Sequence, residues 1–322
     1  MPRTSPMSGS KGASHGSRTN LSQVKILVTG GSGFVGKVVV ERLLARGHSV
    51  RVLARGTRPA PGGTCETVQG SILRPESLPA ACREVDAVVH LVGIISEVGD
   101  QTFERVHTEG TRNMLQAAQS AGIRRFIHMS ALGTRPDAVA RYHRSKWEAE
   151  VAVRASGLDW TIFRPSLIYG PGDGFVGLFA RMAEWSPVLP VIGTGQSRVQ
   201  PVAVEDVGHC FASAPTTPAS VGRTFDLCGP RSYPFDRVIR MILEATGRHR
   251  GVVHLPLPIA RLQAGILESV FPRILDQAPP LNRDQIQMLE EDNVGDPVPA
   301  SEAFGFVPRS FEDGLARLFG RT

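Results

Sequence analysis

The sequence predicts an α/β protein with a doubly wound parallel sheet and a smaller, discontinuous C-terminal lobe. Three observations predict it. An apolar strand runs straight into the turn Thr29-Gly30-Gly31-Ser32-Gly33-Phe34-Val35-Gly36. Strand and helix patterns then alternate as far as residue 170, and several strands are apolar throughout, as strands covered by helices on both faces must be.

Residues 24–29 (VKILVT) form the first strand. Residues 34–46 carry Val35, Val38, Val39, Leu43 and Leu44 at helical spacing, Gly47 ends that helix, and residues 48–54 supply a second strand. This is a complete βαβ unit of the Rossmann type. A weak strand at 66–69, a short helix at 75–82 and the apolar strand 87–92 follow. Residues 101–121 place Phe103, Val106, Gly110, Met114, Leu115 and Ala118 on one helical face. Then come a strand at 125–129, a helix at 141–155 and a strand at 160–164 ending at Pro165.

Beyond that the pattern changes. Residues 166–204 are rich in Gly and Pro and include a hairpin-like stretch, 191–202. Residues 224–227 read as one more sheet strand, and 231–322 as mostly helical. The expected organisation is a nucleotide-binding domain over 24–165, rejoined by 224–227, with a substrate or partner lobe from 166–204 and 231–322. Residues 1–23 read as a disordered tail, because six serines, Arg3, Lys11 and Arg18 without any acid offer too little apolar surface to offset ordering entropy. A mitochondrial transit peptide is the alternative for the same segment.

The chain has 322 residues, 41% apolar and 20% charged, with a formal charge of +6, which is ordinary globular composition. No apolar run approaches the length of a spanning helix. Cys65, Cys82, Cys210 and Cys228 form no C-x-x-C pair, and the nine histidines show no metal-binding spacing. Disulfide scaffolds and metal hydrolases therefore find no support, and a reducing compartment is expected. No basic patch or motif points to nucleic acid.

The glycine turn lies between a strand and a helix, the context in which its spacing has a mechanism. Gly30 permits the tight turn, Gly33 lets the backbone approach a diphosphate, and Gly36 allows close packing of helix on strand. The free amides at the helix start then face an anion. An acid at the end of the second strand would select a free ribose hydroxyl. Arg55 stands there instead, with Arg58 three residues on, so NADP(H) is favoured over NAD(H).

The turn TGGSGFVG, the pair Tyr142 and Lys146 in YHRSK, and FRPSLIYGPGD at 163–173 together resemble the extended and atypical short-chain dehydrogenase/reductases. Within that superfamily, HLVGI at 90–94, MSALG at 129–133 and LNRDQIQMLEEDNV at 281–294 resemble the NAD(P)H-binding accessory subunit of respiratory complex I and its bacterial epimerase/dehydratase-like relatives. The resemblance implies cofactor contacts from Gly30, Ser32, Gly33, Phe34, Val35, Arg55, Leu91, Val92, Gly93, Tyr142, Lys146 and Pro165. Ser71 departs from an aspartate that many relatives place near the adenine.

Tyr142 and Lys146 are one helical turn apart on the same face. An ammonium beside a phenol favours the phenolate and is expected to lower its pKa. In the active relatives, the resemblance implies, Tyr moves a proton while the nicotinamide moves a hydride. The resemblance implies a helper serine whose slot falls here on Ala131 or Leu132, with Ser130 as the substitute if the turn is displaced. His107 stands where many relatives carry Asn.

Secondary candidates are His90 and His128, expected to line the cofactor crevice, and Arg198 and Tyr169, expected to face a substrate pocket near Gln200–Val202. Phe179, Met182 and Trp185 are expected in the core of the second lobe. Residues 259–275 carry a wide apolar stripe, Ile259, Leu262, Ile266, Leu267, Val270, Phe271 and Ile274, expected to dock on its own domain, with a surface helix meeting a membrane or partner as the alternative.

Two functions follow. One is an NADP(H)-dependent oxidoreductase or epimerase/dehydratase-type enzyme with an incomplete active site, Tyr142 as acid–base, Lys146 as its electrostatic partner and Ser130 as helper. The other is a non-catalytic NADPH-binding accessory or assembly protein of a membrane-associated respiratory NADH dehydrogenase. The expected location is cytoplasmic, at the inner membrane's surface in the second case, or the mitochondrial matrix in a eukaryote.

Overall fold

The computed structural model describes residues 23–56, 65–274, 279 and 281–320, the side chains of 272–274 excepted. Residues 1–22 of the expected tail, Arg58, and the side chain of Ile274 in the expected stripe lie outside these.

The first half is the expected alternation: β1 (Lys25–Thr29), α1 (Phe34–Ala45), β2 (Ser49–Ala54), β3 (Glu66–Gln69), α2 (Leu78–Cys82), β4 (Ala87–His90), α3 (Gly110–Ser120), β5 (Arg125–Met129), α4 (Arg141–Arg154) and β6 (Asp159–Pro165). The second half runs β7 (Ile168–Tyr169), α5 (Val176–Trp185), β8 (Val188–Ile192), β9 (Arg198–Val199), β10 (Val202–Ala203), α6 (Val204–Ser213), β11 (Arg223–Leu227), β12 (Tyr233–Pro234), α7 (Phe235–Thr246), β13 (Gly251–Leu255), α8 (Leu257–Ile274), α9 (Arg283–Leu289), α10 (Val298–Phe304) and α11 (Phe311–Phe319).

Seven strands form one parallel sheet in the order β11-β6-β5-β4-β1-β2-β3. The chain returns through β11 to pair with β6, from Arg223 opposite Thr161 to Leu227 opposite Pro165. Each face has its own core. Val28, Val89 and Phe163 pack with Val39, Leu43 and Phe211 of α1 and α6, while Leu27, Val88 and Phe126 pack with Leu78, Met114 and Val153 of α2, α3 and α4. Full burial of such a side chain is worth about 1.5–3 kcal/mol, so the all-apolar strands are the main source of sheet stability. The strand order reverses at β1, which touches both β2 and β4, and a crevice opens there at the carboxyl ends.

The lobe has a third core, in which Leu189 and Val191 of β8 meet Val238, Ile239 and Ile242 of α7 and Phe311 of α11. The hairpin expected at 191–202 does not form. β8 pairs in parallel with β13 and β9 pairs antiparallel with β12, because each strand finds its partner in a later segment. The helix expected over 101–121 is also altered: it opens with a π-helical turn, Glu104–Glu109, before α3. Such turns insert a residue and commonly mark functional sites.

Candidate functional site

The glycine turn forms one wall of a cleft of about 340 Å³, with Gly30, Ser32, Gly33, Phe34, Val35 and Gly36 facing Leu91, Val92, Gly93 and Ile94 across it. Gly30 has φ +77°, and its hydrogen would be replaced by a Cβ only 3.2 Å from the Val92 nitrogen, so the turn needs glycine for both conformation and space. A Cβ on Gly36 would collide with the Gly30 carbonyl, which itself accepts from Gly33 N–H at 3.0 Å. No side chain caps α1 at Gly33. The first-turn amides of α1 therefore remain available to an anion. These residues fit a dinucleotide diphosphate.

At the other end of the cleft, Leu53, Ala54 and Arg55 at the close of β2 meet Gly70, Ser71 and Ile72 after β3. The exposed Arg55 guanidinium donates to Gln101 Oε1 at 2.7 Å. Ser71 is occupied locally: its Oγ accepts from Leu73 N–H at 3.2 Å.

Lys146 lies under the middle of the cleft. It is only 2% exposed, its Nζ donates to the Met129 carbonyl at 3.1 Å, and a Cβ on Gly93 would stand 2.9 Å from that Nζ. Burial lowers the ammonium to about 8, against the opposing pull of Glu150. Tyr142, one turn earlier, is half-buried, and burial pushes its phenol up to about 12. The expected lowering of this phenol by Lys146 is thus reversed: loss of solvent dominates, and the ammonium is spent on Met129.

His107 organises the space between them. Its Nε2 accepts from Ile94 N–H at 3.0 Å, so the proton sits on Nδ1, which donates to Ser145 Oγ at 2.8 Å. Ser145 in turn donates to the Tyr142 carbonyl at 2.8 Å. The imidazole meets Tyr142 edge-on, with centroids 5.3 Å apart. Burial first, then the Lys146 charge, lowers its pKa to about 2, so it is a neutral spacer and not a base.

Ser130 is buried, and its Oγ donates to Thr134 Oγ1 at 3.4 Å. Ala131 and Leu132, in the slot of the helper serine, are also buried. Thr134 and His143, whose atoms approach to 3.5 Å, escaped the sequence reading because neither belongs to a recognised spacing.

The 281–294 segment proves to be a clasp. Asn282 caps α9 in a reciprocal box with Gln285, and its Nδ2 donates to Ile95 O and Ser96 Oγ beside the cleft. Asp284 accepts from the first amide of α4, Arg141 N–H, at 2.7 Å. Asn293 donates to Leu132 O at 3.0 Å and accepts from Ser166 Oγ. One short segment therefore holds the loops after β4, β5 and β6 together.

Other expectations are corrected. His90 and His128 do not line the crevice: they are buried and stacked within the sheet, centroids 5.6 Å apart, with His90 on Thr29 Oγ1 at 2.7 Å. Tyr169 packs on Phe311 and donates to Ser310 O, while Arg198 donates to Ser232, so both brace the lobe. Gln200 ties Gly229 to Gly295. Phe179 and Met182 pack on the lobe core, but Trp185 is 89% exposed, because α5 ends there and β8 turns away. Pro165 is buried at the end of β6, where its carbonyl accepts from Leu132 N–H. Among the described residues no group of side chains could hold a metal, and no helix is long and apolar enough to cross a membrane.

The family model described as NAD(P)H-binding matches residues 30–176. The ceramide reductase of Caulobacter vibrioides is 34% identical over 252 residues, covering 76% of this chain and 78% of that protein. The mitochondrial NADH dehydrogenase [ubiquinone] 1 alpha subcomplex subunit 9 of Rattus norvegicus is 31% identical over 261 residues, covering 76% of this chain and 66% of that one. Among solved structures, the UDP-glucose 4-epimerase of Thermotoga maritima has the same fold, with a TM-score of 0.71 at 22% identity over 92% of this chain and 98% of that one. The glycine cradle, the sheet order and these likenesses agree, and the chain belongs to the NAD(P)H-binding short-chain dehydrogenase/reductase superfamily.

Proposed function

We propose that this protein is an NADPH-dependent reductase of a carbonyl compound, with Tyr142 as proton donor. The observation that carries the reading is the placement of Lys146 between the Met129 carbonyl and Gly93, directly under the cleft wall, with Tyr142 one turn away. Gly30, Ser32, Gly33 and the first amides of α1 would hold the diphosphate; Leu91, Val92 and Gly93 would flank the nicotinamide half. Arg55 would pair with a ribose 2′-phosphate, which favours NADP(H) over NAD(H).

Reduced nicotinamide bound there supplies a hydride. The phenol of Tyr142, neutral at physiological pH, would give its proton to the substrate's carbonyl oxygen and take another from solvent. A protonated donor suits reduction better than oxidation. The Lys146 ammonium, on the Met129 carbonyl beneath Gly93, would place positive charge under the nicotinamide half of the cleft. The relative named a ceramide reductase supports the same direction.

A second reading has its own support. Ala131 and Leu132 leave the helper-serine slot apolar, and losing one such donor costs roughly 2.7–4 kcal/mol of transition-state stabilisation. A non-catalytic NADPH-binding accessory protein of a respiratory NADH dehydrogenase accords with that and with the subunit 9 likeness. NADPH oxidation across a panel of ketones and aldehydes decides between them. Turnover abolished in Tyr142→Phe supports the enzyme; cofactor retained through purification with no turnover of any carbonyl sinks it.

A further inference from the structure

More than half of the large apolar side chains left exposed among the described residues fall within 176–274. The expectation that the α8 stripe docks on its own domain holds only in part: Leu267 and Phe271 are half-buried, whereas the outer side of the stripe is bare. α8 touches the lobe through Ala260 and Ala264, which cover Ile192 and Leu255. At 3.6 residues per turn, Ile259, Leu262, Ile266 and Val270 share an arc of about 80° on the side away from those alanines. They are 53, 68, 56 and 40% exposed.

The ribbon beside α8 continues this surface. Ile192 pairs with Leu255, and alternation along β8 and β13 puts Val188 and Val253 on the same face of the ribbon. α8 covers one end of that face; Val188 and Val253, 43 and 52% exposed, lie bare at the other. Next to Val188 comes the end of α5, where Trp185 stands in solvent with a collar of arginines. Arg181 is one turn back on α5, Arg248 donates to Ala180 O and Arg250 to Ala183 O. Arg181 and Arg250 meet no carboxylate among the described residues, whereas Arg248 pairs with Glu184 at 3.3 Å.

Bare aliphatic side chains bordered by an exposed tryptophan and unpaired guanidiniums match a membrane interface: the aliphatic groups enter the acyl boundary, the indole sits among headgroups and arginine meets phosphate. A two-fold copy fits less well, since a symmetric interface sets a patch against itself and would oppose arginine to arginine. We propose that the outer stripe of α8, the bare end of the β8–β13 ribbon and the arginine-collared Trp185 seat this protein on an anionic phospholipid surface. The proposal rests on neither reading of the cleft, and its test involves no cofactor.

The experiment is flotation of the full chain with vesicles of phosphatidylcholine alone and of phosphatidylcholine mixed with phosphatidylglycerol. Flotation with the mixed vesicles alone is expected, weakening as salt rises. Arg181→Ala should weaken it about fivefold, the share of one cation near a charged surface. Leu262→Glu with Ile266→Glu should abolish it with an unchanged circular dichroism spectrum, and the vesicle-induced blue shift of tryptophan emission should vanish in Trp185→Phe. Absence of flotation with either vesicle, or flotation indifferent to these changes, overturns the proposal. So does a concentration-dependent dimer in light scattering that Ile266→Glu dissociates, which would give the face to a second copy.

Discussion

Asp284 accepts the backbone N–H of Arg141 at 2.7 Å, so a residue in the C-terminal segment holds the first turn of the helix that presents Tyr142 and Lys146. No side chain of the local sequence caps α4 at Ala140. The cap is supplied from 143 positions away.

Removal of that remote cap should therefore be felt at the site. Asp284→Ala is expected to lower stability by about 0.5–2 kcal/mol, the usual worth of a helix cap, and to weaken NADPH binding through the loosened first turn of α4. Urea unfolding gives the first quantity and calorimetric titration the second. An unchanged affinity in a destabilised variant would confine the clasp to a purely structural role.

Arg55 is the residue proposed to favour NADP(H). Its guanidinium is exposed just past the end of β2 and, among the described residues, bonds the neutral Gln101 amide and no carboxylate, which suits it to take a phosphate. Arg55→Ala should weaken NADPH by about 10- to 100-fold, the value of a charge-assisted bond of 1.5–3 kcal/mol, and leave NADH within about twofold. Equal losses for both nucleotides would refute a role in 2′-phosphate selection.

Lys146 predicts a pH dependence. Burial lowers its pKa to about 8, below the ordinary lysine value, so the folded protein releases this proton before the unfolded chain does. Between those two values the unfolded state binds more protons, and this group's contribution to stability rises with pH. Function should move the other way. NADPH affinity and carbonyl reduction are expected to decline as pH climbs through about 8 and the ammonium is lost. In Lys146→Arg, whose charge persists, the alkaline limb should flatten.

The buried histidines predict acid sensitivity. Burial lowers His90 to about 3, His107 to about 2 and His143 to about 4, and it is the largest cause of the lowering at His128, whose two ring nitrogens have no hydrogen-bond partner among the described residues. All are neutral in the fold, whereas in the unfolded chain they take protons near pH 6.5. Stability is therefore full above that pH and falls as pH drops below it, by up to about 1.4 kcal/mol per pH unit for each histidine. His128→Leu replaces an unpaired imidazole with an apolar group and should be tolerated at pH 8, with the acid slope reduced by about one proton in melting curves.

Much of the fold was legible because its signals are local. The strand, glycine turn and helix at 25–45 occupy consecutive residues, and the apolar strands β1 and β4 announce burial on both faces by composition alone. The return of 223–227 to the sheet was readable for the same reason. Gly30 and Gly36 were legible as a diphosphate cradle because the steric demand falls on atoms six positions apart at most.

The parts decided by tertiary structure involve meetings between distant segments. Spacing placed Tyr142 and Lys146 on one helical face, but it could not show that Lys146 Nζ turns to Met129 or that lost solvent raises the phenol. Asn282, Asp284 and Asn293 were recognised as a motif, while their grip on Ile95, Arg141 and Leu132 depends on how the lobe folds back. Periodicity found the apolar face of α8 and the helical spacing of Trp185, yet whether such a face is covered is a property of the neighbouring elements. Hydrogen-bond and apolar patterns along a chain state what a segment needs; only the packing of segments far apart in sequence states which need is met, and by whom.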